Sequence, residues 1–130
     1  MTAVDPAVRE LAHAANFATL SVILRSGQPM THVMWVDADD DHVLVNTEVH
    51  RAKFKAIERD PRVTVTIWKR DDPYTYAEIR GRVVEIVRGP EARAHIDALS
   101  RKYVGRDYDP ERIASERVIL RIAPDVQHVH

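Results

Sequence analysis

Residues 47–68 read "TEVHRAKFKAIERDPRVTVTIW", and the organisation of this stretch sets the fold. Three cations, Arg51, Lys53 and Lys55, crowd into five residues just after the hydrophobic run "HVLVN". Phe54 and Ile57 stand at i, i+3, giving apolar surface for a short helix. Asp60-Pro61 ends that helix, because the residue before a proline is pushed out of the α region. Beyond it "RVTVTIWK" (62–69) alternates, Val63, Val65 and Ile67 against Thr64, Thr66 and Trp68, which is the period of a strand. The unit is strand, short basic helix, strand.

Working outward, "DPAVRELAHAA" predicts an opening helix, capped by Asp5 with Pro6 at its first position. Three strands are expected at 17–24, 30–37 and 42–47, joined by the turns "RSGQP" and "ADDD" and so forming an antiparallel meander. A long strand is expected over 74–87, with a bulge or barrel corner at Gly81, where the polar–apolar phase changes. A helix is predicted over 89–105, with Ala92, Ile96, Leu99 and Tyr103 as its buried stripe. A last strand follows at 116–124, and "VQHVH" extends the same pattern. The strands cluster rather than alternate with helices, which disfavours a doubly wound parallel sheet and favours a small antiparallel barrel. A barrel of this size has little interior room, so a ligand is expected on an outer groove or between subunits.

The chain has 130 residues, which suits a single domain over 1–130, and its 45% hydrophobic and 30% charged content is that of a globular protein. No apolar run approaches the ~20 residues that span a bilayer, and the N-terminus lacks a secretory h-region, so a cytoplasmic location is expected. There is no cysteine, which excludes disulfides and thiolate chemistry. Net charge is −1 overall, arguing against nucleic acid as a partner, but residues 51–70 alone carry a net +5.

With four glycines in all, neither a dinucleotide fingerprint nor a Walker loop is present. The seven histidines show no metal-binding spacing beyond His128-x-His130, and no metal is assigned. No nucleophile or general acid can be specified, so catalytic residues stay unknown. On a helix starting near Arg51, Arg51 and Lys55 share a face, while Lys53 reaches an anion only from the helix mouth, where backbone N–H groups are free. From the residues alone, a solvated basic face and an anion site are equally good readings.

The order of these features resembles the split β-barrel flavin and deazaflavin oxidoreductases, the superfamily of pyridoxamine 5′-phosphate oxidase. The resemblance rests on "T-x-x-x-R-A-K", a helix and "D-P-R-V" (47–63), and on "Y-A-E-I-R-G-R-V" (76–83), and it covers almost the whole chain. Within the superfamily the chain is similar to the small actinobacterial group that uses coenzyme F-420. The resemblance implies a mainly β, antiparallel Greek-key split barrel with flanking helices. It implies a homodimer with cofactor sites at the subunit interface, and hydride transfer between reduced F-420 and a small organic acceptor. Carried over residue by residue, it assigns the cofactor phosphate to Thr47, Arg51 and Lys53, with Lys55 beside them. It assigns the ring to the second and fourth strands, His32, Val33, Met34, Trp35 and Val36, and Ile67, Trp68, Lys69 and Arg70, with Tyr76 and Ala77 packed nearby. The further cations Arg59 and Arg62, with Lys69 and Arg70, are candidates for the anionic tail of F-420. The oxidase's "R-x-x-x-x-x-W" segment is missing, which points away from pyridoxamine phosphate oxidation. The alternatives are an FMN-binding oxidoreductase of the same fold and a non-catalytic binder of F-420, flavin or haem; a third is a cofactor-free dimerisation domain.

Overall fold

The computed structural model describes residues 2–130. Three α-helices, α1 (Pro6–His13), α2 (Ala52–Arg59) and α3 (Pro90–Val104), flank seven strands. The strands are β1 (Phe17–Ile23), β2 (Pro29–Met34), β3 (Asp37–Ala38), β4 (Val43–Glu48), β5 (Arg62–Lys69), β6 (Asp72–Val87) and β7 (Arg117–Val129). All pairings are antiparallel, in one sheet ordered β2-β1-β5-β6-β7-β4-β3. The two edge strands, β2 and β3, do not pair with each other, so the barrel is split rather than closed. No helix among the described residues is long and apolar enough to cross a membrane.

The strand period sets the core. Leu20, Val22, Val45, Val65, Ile67, Ile79, Leu120 and Ile122 all point inward and are almost fully buried, each worth roughly 1.5–3 kcal/mol of transfer free energy. Phe54 and Ile57 of α2 and Val8 and Ala12 of α1 plug the same cluster. Asp5 accepts the Ala7 N–H at 2.8 Å and opens α1, and Gly105 closes α3 in the left-handed conformation.

The expected three-strand meander is corrected. β1 and β2 form the first expected hairpin, but β4 pairs with the short β3 and, on its other side, with β7 rather than with β2. The second strand stops at Met34 because the chain turns at Trp35-Val36. Val36 is completely buried there, its N–H on the Tyr103 hydroxyl at 3.3 Å and its carbonyl on the Lys102 ammonium at 2.6 Å. The chain resumes as the two-residue β3, whose turn is tied by Asp39 accepting the N–H groups of Asp41 and His42. The irregularity expected at Gly81 is present: the β6–β7 register shifts between Arg80 and Arg82. A Cβ at Gly81 would lie 1.9 Å from the Ala123 carbonyl oxygen, so only glycine allows β7 this close. "VQHV" continues β7, and the His130 ring stacks on Tyr76 with centroids 4.4 Å apart.

Candidate functional site

The end of β4 breaks the strand's alternation. Asn46, Thr47 and Glu48 are consecutive, polar and all buried, at 5%, 4% and 1% exposure. Burial of three polar side chains in a row demands partners. The β4–β7 register supplies them by setting Glu48 opposite Arg117. Arg117 donates its Nε to Asn46 Oδ1 at 2.8 Å and brings Nη1 to 3.4 Å from Glu48 Oε2. The Asn46 amide nitrogen donates in turn to the Ala92 carbonyl and lies 3.1 Å from His95 Nδ1. Glu48 Oε1 takes the backbone N–H groups of Ala114 and Ser115 at 2.6 and 2.9 Å, and its Oε2 takes Arg51 at 3.3 Å.

Asn46, Thr47, Arg51 and Arg117 line a cavity of about 290 Å³ at the mouth of α2. Thr47, Arg51, Lys53, Arg112 and Arg117 form its polar side; Phe17, Val33, Met34, Trp35, Ile96 and Leu99 form its apolar side. Tyr108 closes one end, with Arg117 over its ring at 5.2 Å. Stacking and hydrogen bonds hold the aromatic wall rigid. Trp35 stacks on Tyr103 at 5.3 Å and 5°. The Tyr103 hydroxyl donates to the Asn16 carbonyl, and Lys102 bonds the carbonyls of Ala12 and Val36.

The charge balance of the cavity is uneven. Lys53 is 9% exposed, and its Nζ meets the Met34 sulfur at 3.5 Å. No carboxylate lies within 4 Å of Lys53 or Arg112 among the described residues; the carboxylate of Glu48 is shared by Arg51 and Arg117. Burial, with help from the charges of Arg51 and Arg117, holds the Lys53 ammonium below its ordinary pKa of 10.5. Glu48 behaves oppositely. Burial pushes its carboxyl up, but the N–H groups of Ser115 and Ala114, the Arg51 hydrogen bond and the Arg117 charge together bring it below 4.5. Buried cations in excess of their carboxylates are stabilised by a small anion carrying several acceptors.

The structure thus brings together Thr47, Arg51 and Lys53 with Val33, Met34 and Trp35. Other sequence-predicted residues lie elsewhere. Lys55 is exposed on the outer face of α2, because it lies about 200° round the helix axis from the buried Lys53. His32 is exposed on β2, and Val36, Ile67 and Ala77 are core residues. Trp68 faces Tyr76 across the β5–β6 pair, with its ring 6.5 Å from Phe17. Lys69 and Arg70 line a second cavity, of about 510 Å³, beside α1 and the chain end, although Arg70 also sits over the Phe17 ring at 5.3 Å. Arg59 and Arg62 are engaged away from the groove, with the Ile23 carbonyl and with Asp60. Sequence reasoning missed Arg117, Arg112, Asn46, Tyr108 and Phe17. The one available signal was Asn46, a polar residue at the end of an apolar strand; the arginines come from a distant strand and loop.

Fold and groove define a split-barrel protein with a cation-lined, half-aromatic groove at the mouth of the helix after its fourth strand. Residues 4–129 match the pyridoxamine 5′-phosphate oxidase family, and the chain belongs to it. A solved F-420 reductase is 26% identical and superposes with a TM-score of 0.84, covering 96% of this chain and 98% of that one. A conserved hypothetical protein from Mycobacterium tuberculosis is also 26% identical, with a TM-score of 0.70 over 93% of this chain and 79% of that one. General stress protein 26 from Bacillus anthracis shares the fold at 21% identity, with a TM-score of 0.69 over 94% and 89% of the two chains. No functionally curated protein matches.

Proposed function

We propose that the protein is an oxidoreductase that binds a flavin-type cofactor, specifically the deazaflavin F-420, and uses it to reduce a small organic acceptor. The observation that carries this reading is the surplus of positive charge at the mouth of α2, where Arg51 and the buried Arg117 share the one carboxylate of Glu48 and the buried Lys53 has none. The donor set fits a phosphate: one ammonium, two guanidinium groups and the free N–H groups of a helix start. The flat Trp35–Tyr103 stack and the apolar Phe17, Val33 and Leu99 suit one face of a fused ring. F-420 is preferred over FMN because an F-420 reductase superposes over nearly the full length of both chains.

When bound, the cofactor supplies hydride chemistry. The chain's own residues do the rest. Lys53, Arg51 and Arg117 clamp the anionic end, Asn46 and Glu48 hold Arg117 in place, and the Trp35 wall fixes the ring and excludes water. No side-chain acid is required by this scheme. A homodimer is part of the proposal. The cavity lies at the small end of ligand pockets, about 300–1,000 Å³, and Val33, on its rim, is 65% exposed on an edge strand. A second subunit over β2 would complete the groove.

Spectroscopic titration of the purified protein with F-420 and with FMN, in parallel, tests the reading. Saturable binding of F-420, abolished in Arg51→Ala/Lys53→Ala, supports it. Preferential FMN binding moves the cofactor to the alternative, and binding of neither refutes the proposal. Reduced F-420 is then offered with a panel of enones and imines: turnover marks an enzyme, and tight binding without turnover marks a carrier.

A further inference from the structure

The chain contains four lysines, and they occupy very different environments. Lys55 and Lys69 are exposed. Lys102 is half-buried and donates to two backbone carbonyls, at 2.8 and 2.6 Å. Lys53 alone lines the groove, with the Met34 thioether as its hydrogen-bond partner and no carboxylate within reach.

We infer that Lys53 is a covalent capture site for aldehydes that carry a phosphate or carboxylate. The geometry has the two parts such a site needs. Arg51, Arg112 and Arg117 line the same cavity and bind the anionic end. The amine stands beside them, so the aldehyde is delivered to it at high effective concentration. The amine nitrogen attacks the carbonyl carbon, water leaves, and a C=N bond joins the ligand to Nζ; no oxidant or reductant is consumed. The attacking form is the neutral amine. Burial of Lys53 favours that form first, the charges of Arg51 and Arg117 add to it, and the carboxylate of Glu48 is already engaged by Arg51 and Arg117. Burial also lowers the proton affinity of Lys102, but its ammonium is held by two backbone carbonyls and stands outside the groove.

Capture does not depend on the cofactor's identity. It uses the cation cluster and would block the groove reversibly, making small anionic aldehydes inhibitors of whatever binds there.

The test uses the ligand-free protein with 4-formylphenyl phosphate and cyanoborohydride near neutral pH, followed by peptide mass spectrometry. The reductant converts the imine to a stable secondary amine, and the other three lysines are internal references. Lys53 should be labelled about tenfold or more faster than Lys55 or Lys69, on the modest side of proximity effects. Inorganic phosphate should slow labelling of Lys53 alone. Benzaldehyde, which lacks the anion, should show a much smaller preference, and one that phosphate does not change. Lys53→Arg should lose the adduct while keeping the charge and the native circular dichroism. Equal labelling of Lys53 and Lys55, or labelling of Lys53 that phosphate does not slow, overturns the inference. If F-420 and FMN both fail to bind while Lys53 is selectively labelled, the proposed function falls and the capture site stands. If a cofactor binds while labelling is unselective, the capture site falls and the proposed function stands.

Discussion

Replacing Lys53 with Met separates what the buried ammonium costs the fold from what it gives a ligand. Lys53 is 9% exposed, its neighbour is the Met34 sulfur at 3.5 Å, and Arg51 and Arg117 carry its own sign of charge. Methionine keeps an unbranched, flexible chain and removes the charge. Without ligand, the variant should be more stable than the wild type by about 1–2 kcal/mol, in the lower part of the range for replacing buried charges by apolar groups. With an anion in the groove the sign reverses. Losing a charge-assisted hydrogen bond costs about 1.5–3 kcal/mol, roughly a 10- to 150-fold rise in Kd. Urea unfolding measures the first quantity and cofactor titration the second. The pH dependence gives an independent readout. The folded Lys53 has its pKa below 10.5, so between the lowered value and 10.5 the unfolded chain holds a proton that the folded chain does not. Wild-type stability therefore rises with pH across that window. The variant's advantage is largest below the window, shrinks through it and vanishes above it. Lys55→Met, on the exposed face, should change neither quantity. A Lys53→Met protein that is less stable without ligand, with an unaltered Kd, would refute the assignment of Lys53 as an uncompensated cation.

Asn46→Ala removes partners from Arg117, from the Ala92 carbonyl and from His95; it should cost about 1–3 kcal/mol in urea unfolding and weaken cofactor binding although Asn46 carries no charge. Glu48 has a depressed pKa, so its stabilisation is present above 4.5 and lost as pH falls through the lowered value. Glu48→Gln should flatten this acid limb and, by breaking a buried pair, cost about 3–5 kcal/mol at neutral pH. Gly81→Ala places a Cβ 1.9 Å from the Ala123 carbonyl oxygen; a loss of about 1–3 kcal/mol or more is expected, on the scale of overpacking, and a thermal midpoint equal to wild type would show that β7 can move away.

The elements most legible in the sequence are those whose pattern is local. The alternation of residues 62–69, the Asp60-Pro61 stop, the Gly81 phase change and the stripe Ala92–Ile96–Leu99 are each written in the order of neighbouring residues, whatever those residues then pack against. The meander fails because pairing is not local. "HVLVNT" carries the same pattern whether it joins β2 or crosses to β7, and the turn that redirects it is made by Tyr103 and Lys102 of α3, far along the chain. The groove divides in the same way. Thr47, Arg51 and Lys53 lie on one continuous segment and can be read from it, whereas Arg117 enters through the β4–β7 register and Arg112 through the loop before β7. Lys55 illustrates a different limit. Charge density alone does not say which of three cations on a short helix turns inward; the Phe54–Ile57 side settles that, and it takes Lys53 with it.

The same register explains why so much charge can stand at the start of a short helix. Arg117 is fixed by Asn46 and Glu48, Glu48 is fixed by two backbone N–H groups, and Arg51 is drawn to what remains of the carboxylate. Glu48 offsets one of the charges of Arg51, Arg117 and Lys53, and Lys53 is the buried one of the three that no carboxylate touches. A groove arranged in this way is less stable alone than its packing would allow, and an anion recovers the difference. Ligand binding therefore has two separable signatures in unfolding experiments. One is the size of the stabilisation, set by mass action at about 2.7 kcal/mol for a hundredfold excess over Kd. The other is its pH dependence, because the anion raises the Lys53 pKa back towards 10.5 and removes the alkaline window. The first signature is common to all ligands. The second requires the anion to sit on Lys53, so loss of the pH-dependent limb on cofactor binding locates the phosphate more specifically than affinity can.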